Sequence, residues 1–251
     1  NEVIDYLSAY EQRYQFPIIR PVHVDHIEQK DGYLDVYAGD QYWRAKAVVS
    51  ATGTWSQPHI PNDIGREKFK GIQLHSADYV NATPFKNKKI IVVGGGNSGA
   101  QILAEVSKVA ETTWVTTTAP AFLSDEVDGR VLFLRATERL KAQQEGRSLE
   151  QLAGGLGDIV MIDTLKEARE RGVLHSREPF NAFEEHSVVW ADGTTQAVDA
   201  VIWCTGFKAS LNHLRSLDVV EPDQTVAVND GRCIKVNNLW LVGYGEWTGM
   251  A

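Results

Sequence analysis

The sequence predicts an α/β protein in two parts: a parallel-sheet domain over residues 85–205, inserted into a second α/β domain built from the flanking segments 1–84 and 206–251. Three observations predict it. An apolar strand pattern, a glycine-rich turn and an apolar-periodic helix follow one another over residues 88–109, and a β-rich segment at Thr112–Thr116 completes a βαβ unit. Strand-like segments separated by Asp-Gly and Gly-Asp turns occupy residues 18–50, which reads as an antiparallel β-meander. One strand-like segment ends in Ala51-Thr52-Gly53 before the insertion and another returns at Leu239–Val242 after it, the paired crossings that keep a sheet continuous.

The elements follow in order. Val3, Ile4, Leu7 and Tyr10 fall at near-helical spacing between Glu2 and Tyr14, so an amphipathic helix is predicted there, ended before Pro17. Extended segments at Ile18–Glu28, Gly32–Tyr37 and Gln41–Ser50 make the meander, with Asp31-Gly32 and Gly39-Asp40 as turns. From Trp55 to Pro84 the residues Pro58, Pro61, Gly65, Gly71 and Pro84 break any period, and the stretch reads as an interdomain linker. Strand Lys88–Val93, helix Ser98–Val109 and strand Thr112–Thr116 come next. Ser148–Arg171 reads as one or two helices interrupted by Gly154-Gly155-Leu156-Gly157. Two alternating segments, Ser187–Trp190 and Ala197–Trp203, are joined through Asp192-Gly193, and Leu239–Val242 runs into Gly243-Tyr244-Gly245.

Composition narrows the function classes. With 251 residues, 43% hydrophobic and 23% charged, the chain is globular and has the length at which single cores split into two. A net charge of −8 argues against a nucleic-acid or anionic-membrane partner, because either requires a basic field. No stretch approaches the ~20 apolar residues of a spanning helix, and a cytoplasmic location is expected. The two cysteines, Cys204 and Cys233, supply neither a disulfide framework nor a tetrahedral metal site, so no metal is expected. The expected partner is a small-molecule substrate; a homodimer stays open.

Gly94-Gly95-Gly96-Asn97-Ser98-Gly99 fits G-x-G-x-x-G, with an apolar strand before it and a helix from Ser98 after it. In that context Gly94 makes the tight turn, Gly96 lets backbone approach a pyrophosphate, and Gly99 lets helix and strand pack closely. The helix N-terminus offers free N–H groups and the positive dipole end. A Rossmann-type NAD(P)H domain is therefore predicted, with Gly94, Gly96, Asn97, Ser98 and Gly99 at the coenzyme. The second strand ends in Thr116-Thr117-Thr118, where an acid usually selects the ribose of NAD. Thr117 and Thr118 can bond a ribose or a phosphate, and Arg130 and Arg135 follow, so NADPH is a lean and NADH stays open.

Phe69-Lys70-Gly71-Ile72-Gln73-Leu74-His75-Ser76-Ala77-Asp78-Tyr79 reads F-x-G-x-x-x-H-x-x-x-Y. At these residues the sequence resembles the flavin-containing monooxygenase family, with its N-hydroxylating and Baeyer–Villiger-like relatives. Further matches fall in the family's order: Ala51-Thr52-Gly53, Trp55-Ser56-Gln57-Pro58, Gly94 to Gly99, Asp199 to Phe207 as D-x-V-I-x-x-T-G-[FY], and Asn238 to Gly243. The resemblance implies a partial FAD-binding α/β domain in the flanks. It implies cofactor contacts by Ala51, Thr52, Gly53, Gln57, Thr205, Gly206 and Gly243, and a cofactor-positioning role for His75. FAD and NADP are the implied cofactors. The implied activity is a flavin-dependent monooxygenase that uses NADPH and oxygen on a nitrogen, sulfur or carbonyl substrate, with no catalytic residue assignable.

Against the family pattern, no strand and G-x-G-x-x-G for the FAD diphosphate stands upstream of residue 94, and Glu246 is a displaced counterpart of the acid that follows the closing strand. The chain is thus expected to be truncated at both ends and, as 251 residues alone, to hold FAD weakly or not at all. The competing expectation is a nucleotide-binding or regulatory module without turnover. A disulfide reductase would need a Cys-x-x-Cys pair, which Cys204 and Cys233 do not form.

Overall fold

In the computed structural model, which describes residues 2–127 and 158–248 together with 131, 134, 137, 138, 141, 142, 145 and 147, the chain divides into two units. One comprises residues 1–52 and 211–249, the other residues 53–210. The division falls at Gly53, ahead of the boundary at 85 expected from composition.

The first unit begins with α1 (Glu2–Tyr14), as the periodicity predicts, but no residue of it is buried. Tyr6, Tyr10 and Tyr14, four residues apart, stack along one face with centroids 6.4 and 4.7 Å apart. Strands β1 (His26–Lys30), β2 (Tyr33–Ala38) and β3 (Gln41–Ala45) form the antiparallel meander, with Ile27 opposite Val36 and Val36 opposite Trp43. The turn at Asp31-Gly32 has φ of 52° and 80°, the two positive values a tight hairpin requires. Buried Asp35 is satisfied by Tyr42 Oη at 3.0 Å and Arg44 Nε at 3.3 Å.

Two expectations here are corrected. The strand read over Ile18–Glu28 starts only at His26, because Pro17 and Pro21 remove donors from the earlier half. The strand read over Gln41–Ser50 is two strands: β3 ends at Ala45, and β4 (Val48–Ser50) joins a different sheet.

The second unit holds a five-stranded parallel sheet. Its strands are β5 (Ile72–His75), β6 (Lys89–Val93), β7 (Glu111–Val115) and β8 (Ser176–Arg177), with β12 (Ala200–Trp203) arriving last, in the order β5-β12-β6-β7-β8. Between β6 and β7 runs α2 (Asn97–Val106), and α3 (Asp163–Glu170) packs beside it. The strands read as continuous apolar runs because both faces are covered. Ile90, Val92, Ile202 and Trp114 face the helices with Leu103 and Val106, whereas Ile91, Val115, Val201 and Trp203 face Phe180, Phe183 and Trp190. That second face is roofed by an antiparallel layer of β9 (Ala182–Phe183), β10 (Ser187–Val189) and β11 (Thr195–Ala197).

The stretch Trp55–Pro84 is thus more than a linker, since β5 lies inside it as the edge neighbour of β12, with Gln73 opposite Val201. Ala197–Trp203 likewise splits: β11 closes the hairpin with β10, and β12 enters the parallel sheet. Of the helices read over Ser148–Arg171, α3 is present; residues 148–157 lie outside the described residues, as do Arg130 and Arg135.

The chain then returns to the first unit as β13 (Val228–Asn229), β14 (Arg232–Cys233) and β15 (Leu239–Leu241), in a sheet of order β13-β14-β15-β4. β15 runs parallel to β4, with Leu241 opposite Ser50. The turns after these two strands are therefore neighbours.

Candidate functional site

In the 53–210 unit the chemistry-bearing residues gather at the carboxyl edge of the parallel sheet. The chain leaves β6 toward β7 on one side, while β12 lies on the other, so the crevice outside β6 and β12 is the topological switch point where α/β sheets bind ligands. A cavity of about 490 Å³ opens there, with Val93, Trp203 and Cys204 at its floor and His59 and Phe180 on its walls. A second hollow of about 330 Å³ shares Gly95, Thr116 and Thr117 with it and extends to Gly96 and Thr118.

The three fingerprint glycines do different work. Gly94, at φ 129°, is pressed against the turn after β12: a Cβ there would stand 2.2 Å from the Cys204 carbonyl oxygen. Gly99 is pressed against Gly94, again with 2.2 Å between a built Cβ and the carbonyl oxygen. Gly96 differs, for a Cβ on it would meet nothing within 4 Å. Its φ of −96° is open to any residue, so neither strain nor packing within the protein requires a glycine there. Gly96 is also the N-cap of α2 and supplies no side chain to the helix's first N–H groups. Bare donors beside an open glycine fit a pyrophosphate.

Asn97 begins α2, but its side chain is engaged: Nδ2 donates to the Asp158 carbonyl at 3.2 Å and Oδ1 accepts from Val160 N–H at 2.9 Å. It secures the segment facing the turn. His75 is buried and fixed in one neutral tautomer. Ala77 N–H donates to its Nδ1 at 3.1 Å, leaving Nε2–H to donate to the Gly206 carbonyl at 3.0 Å. Thr205 Oγ1 donates to the His59 carbonyl, and Gln57 accepts through its carbonyl from Lys208 N–H at 2.8 Å. His75, Gln57 and His59 thus brace the Thr205-Gly206 turn after β12. Phe69 and Tyr79 of the same motif pack on opposite faces of the sheet.

Sequence reasoning missed His59 and Asp63 as cavity-lining residues. Burial, then the charge of Lys208, holds His59 below its ordinary value. Burial raises the Asp63 carboxyl. The only signal was adjacency to the Trp55-Ser56-Gln57-Pro58 match. Burial pushes the Cys204 thiol up to about 12, the opposite of a reactive thiolate.

In the other unit, Ala51, Thr52 and Gly243 follow β4 and β15, and the parallel pairing sets Thr52 beside Tyr244. The side chain of Glu246 lies outside the described residues. Among the described residues no three His, Cys, Asp or Glu lie together as a metal site, and no helix is long and apolar enough to cross a membrane.

A five-stranded parallel sheet with a G-x-G-x-x-G turn at its carboxyl edge, in a chain whose other unit pairs β4 and β15 in parallel, has the α/β build of the FAD- and NAD(P)-dependent flavoprotein oxidoreductases. A family model described as pyridine nucleotide-disulphide oxidoreductase matches residues 1–153. A flavin-containing monooxygenase from Stenotrophomonas maltophilia is 48% identical, with a TM-score of 0.87 over 100% of this chain and 70% of that one. The mouse N-oxide-forming dimethylaniline monooxygenase 4 is 32% identical over 210 residues, 71% of this chain and 38% of its own length. An oxidoreductase of Bacillus subtilis, CzcO, is 26% identical over 249 residues, which cover 97% of this chain and 70% of that protein. The chain belongs to the pyridine nucleotide-disulphide oxidoreductases and, within them, to the flavin-containing monooxygenase family. It is a flavin-dependent monooxygenase with FAD and NADP(H) as cofactors.

Proposed function

We propose that the 53–210 unit is the NADP(H)-binding domain and that the 1–52 and 211–249 segments form the part of the FAD domain present in this chain. Gly95 and Gly96 receive the coenzyme pyrophosphate on the N–H groups that open α2, Gly94 and Gly99 hold that turn in shape, and Thr117 and Thr118 face the adenosine ribose. The open Cβ direction of Gly96 at an uncapped helix start carries this reading. His75 supports it indirectly by bracing the Thr205-Gly206 turn across the crevice. The flavin is assigned to the turns Ala51-Thr52-Gly53 and Gly243-Tyr244-Gly245 at the carboxyl ends of β4 and β15.

When bound, FAD supplies the oxygen-activating chemistry and NADPH the reducing equivalents. The chain's own residues then bind, orient and exclude water. The 490 Å³ cavity supports that division of labour: His59, Asp63 and Cys204, which line it, are all displaced toward their neutral forms by burial, as suits a dry site. The substrate class that follows is a small molecule with a nucleophilic nitrogen or sulfur, or a carbonyl. The test is a panel of amines, sulfides and ketones incubated with enzyme, FAD, NADPH and oxygen. Gain of one oxygen atom by a panel member, with NADPH consumed, is the expected result. NADPH oxidation with every member unchanged rejects the substrate class.

A further inference from the structure

Four polar groups of the 1–52 and 211–249 unit form an unbroken chain. His213 Nε2 lies 2.7 Å from Ser50 Oγ, Ser50 Oγ 2.5 Å from Tyr244 Oη, and Tyr244 Oη 2.7 Å from Thr52 Oγ1. Thr52 N–H also donates to Tyr244 Oη at 3.2 Å. His213, Ser50 and Tyr244 are 7%, 3% and 4% exposed, so water does not compete for these bonds. Thr52, at the other end, is exposed. Burial, then the charge of exposed His23, holds His213 below its ordinary value.

Hydrogen counting over these four contacts fits two arrangements. If Nε2 of His213 accepts, Ser50 donates to it, Tyr244 donates to Ser50, and Thr52 donates to Tyr244 through both its hydroxyl and its N–H. If Nε2 carries a hydrogen, every hydroxyl reverses: His213 donates to Ser50, Ser50 to Tyr244 and Tyr244 to Thr52 Oγ1, while Thr52 N–H stays in place. Tyr244 Oη donates once and accepts twice in both, within the capacity of a phenol. Both arrangements are fully satisfied, so the four groups can switch between them without breaking the fold.

We propose that His213, Ser50 and Tyr244 form a proton relay whose outlet is the Thr52 hydroxyl. The step balances without any redox partner. Starting from the imidazolium, Nε2 gives its proton to Ser50, Ser50 passes its own to Tyr244 and Tyr244 passes its own to Thr52. The original Thr52 proton leaves to water at the Ala51-Thr52-Gly53 turn, where Ala51 and Thr52 are exposed. His213 is left neutral with hydrogen on Nδ1, and a proton entering at the exposed Thr52 hydroxyl and running the same chain in reverse recharges Nε2. His213 acts through Ser50 and Tyr244 and is a positioning and proton-holding residue. The relay rests on the flavin assignment only for what sits at its outlet.

The test is an NMR titration of isotope-labelled histidine in the full chain without cofactor. Charging His213 requires Ser50 to donate to Tyr244 and Tyr244 to donate to Thr52, so removing either acceptor leaves a buried hydroxyl unpaired in the charged state alone. Thr52→Val and Tyr244→Phe therefore lower the His213 midpoint by roughly one pH unit, although neither residue touches His213. Thr52→Ser, which keeps the hydroxyl, restores the midpoint. Unshifted signals from His26 and His175 certify the fold, and the Thr52→Val and Thr52→Ser pair suffices if Tyr244→Phe does not fold. An unchanged His213 midpoint in Thr52→Val overturns the relay. The flavin assignment is read separately, from amide NMR shifts on adding excess FAD: shifts elsewhere with none at Ala51, Thr52 and Gly243 reject that assignment, whereas the His213 midpoint shift supports the relay whether or not FAD binds.

Discussion

Replacing Gly96 by aspartate should separate coenzyme binding from folding. A Cβ at this position meets nothing within 4 Å and the backbone φ is −96°, so the fold accepts a side chain. Aspartate is also a better N-cap than glycine by a few tenths of a kcal/mol, because its carboxylate accepts from the first N–H groups of the helix. Those are the donors the coenzyme pyrophosphate requires. Losing two charge-assisted hydrogen bonds, each roughly 1.5–3 kcal/mol, costs about 3–6 kcal/mol and weakens binding roughly 10²–10⁴-fold. The assay is calorimetric titration with NADPH beside a thermal melt of the same sample. Gly94→Ala provides the contrast: its Cβ would stand 2.2 Å from the Cys204 carbonyl oxygen at φ 129°, so the melt itself should fall by several degrees. Unchanged NADPH affinity in Gly96→Asp, or a melting loss equal to that of Gly94→Ala, refutes the reasoning.

Thr118→Asp places a carboxylate at the hollow that Gly96 and Thr117 also line, where an acid bonds ribose hydroxyls and repels a 2′-phosphate. The expected result is NADPH affinity at least about tenfold weaker with NADH affinity retained, measured by parallel titrations. Cys204 governs an alkaline loss of stability. Burial raises its folded-state value to about 12 from an ordinary 9.0, so the unfolded chain ionises first as pH rises through that interval. The stability present below pH 9 is lost progressively toward pH 12, by up to about 4 kcal/mol. Cys204→Ala should flatten the melting temperature over that window relative to wild type; a slope identical to wild type would show that the thiol is not the group responsible.

The nucleotide half was readable because its signal is local. Strand β6, the glycine turn and α2 are contiguous, and each glycine's task follows from the turn's own covalent geometry. What the sequence concealed is partnership between distant segments. Residues 41–50 carry one strand-like pattern, and period alone cannot show that β3 pairs with β2 while β4 pairs with β15, nearly two hundred positions onward. β5 was missed for another reason: it is a four-residue edge strand with Ile72 exposed, so neither length nor alternation marks it. The same limit applies to the site. The motif containing His75 was visible and Ala77 sets its tautomer locally, but the acceptor its Nε2–H reaches, Gly206, lies 131 residues away. Ser50 and His213, 163 residues apart, gave no signal at all.

Trp114 donates its indole N–H to the Gly94 carbonyl oxygen at 2.8 Å and is 1% exposed. The indoles of Trp190 and Trp203, by contrast, have no acceptor for theirs among the described residues. One fluorophore is therefore clamped to the first glycine of the turn, shielded from solvent quenching and sensitive to any movement of that carbonyl. Reduced nicotinamide absorbs where indoles emit, so arrival of the coenzyme should dim Trp114 by energy transfer while the strand that carries it stays still. The chain contains its own optical gauge of occupancy at the glycine turn, and coenzyme arrival can be timed in a stopped-flow fluorimeter without attaching a label.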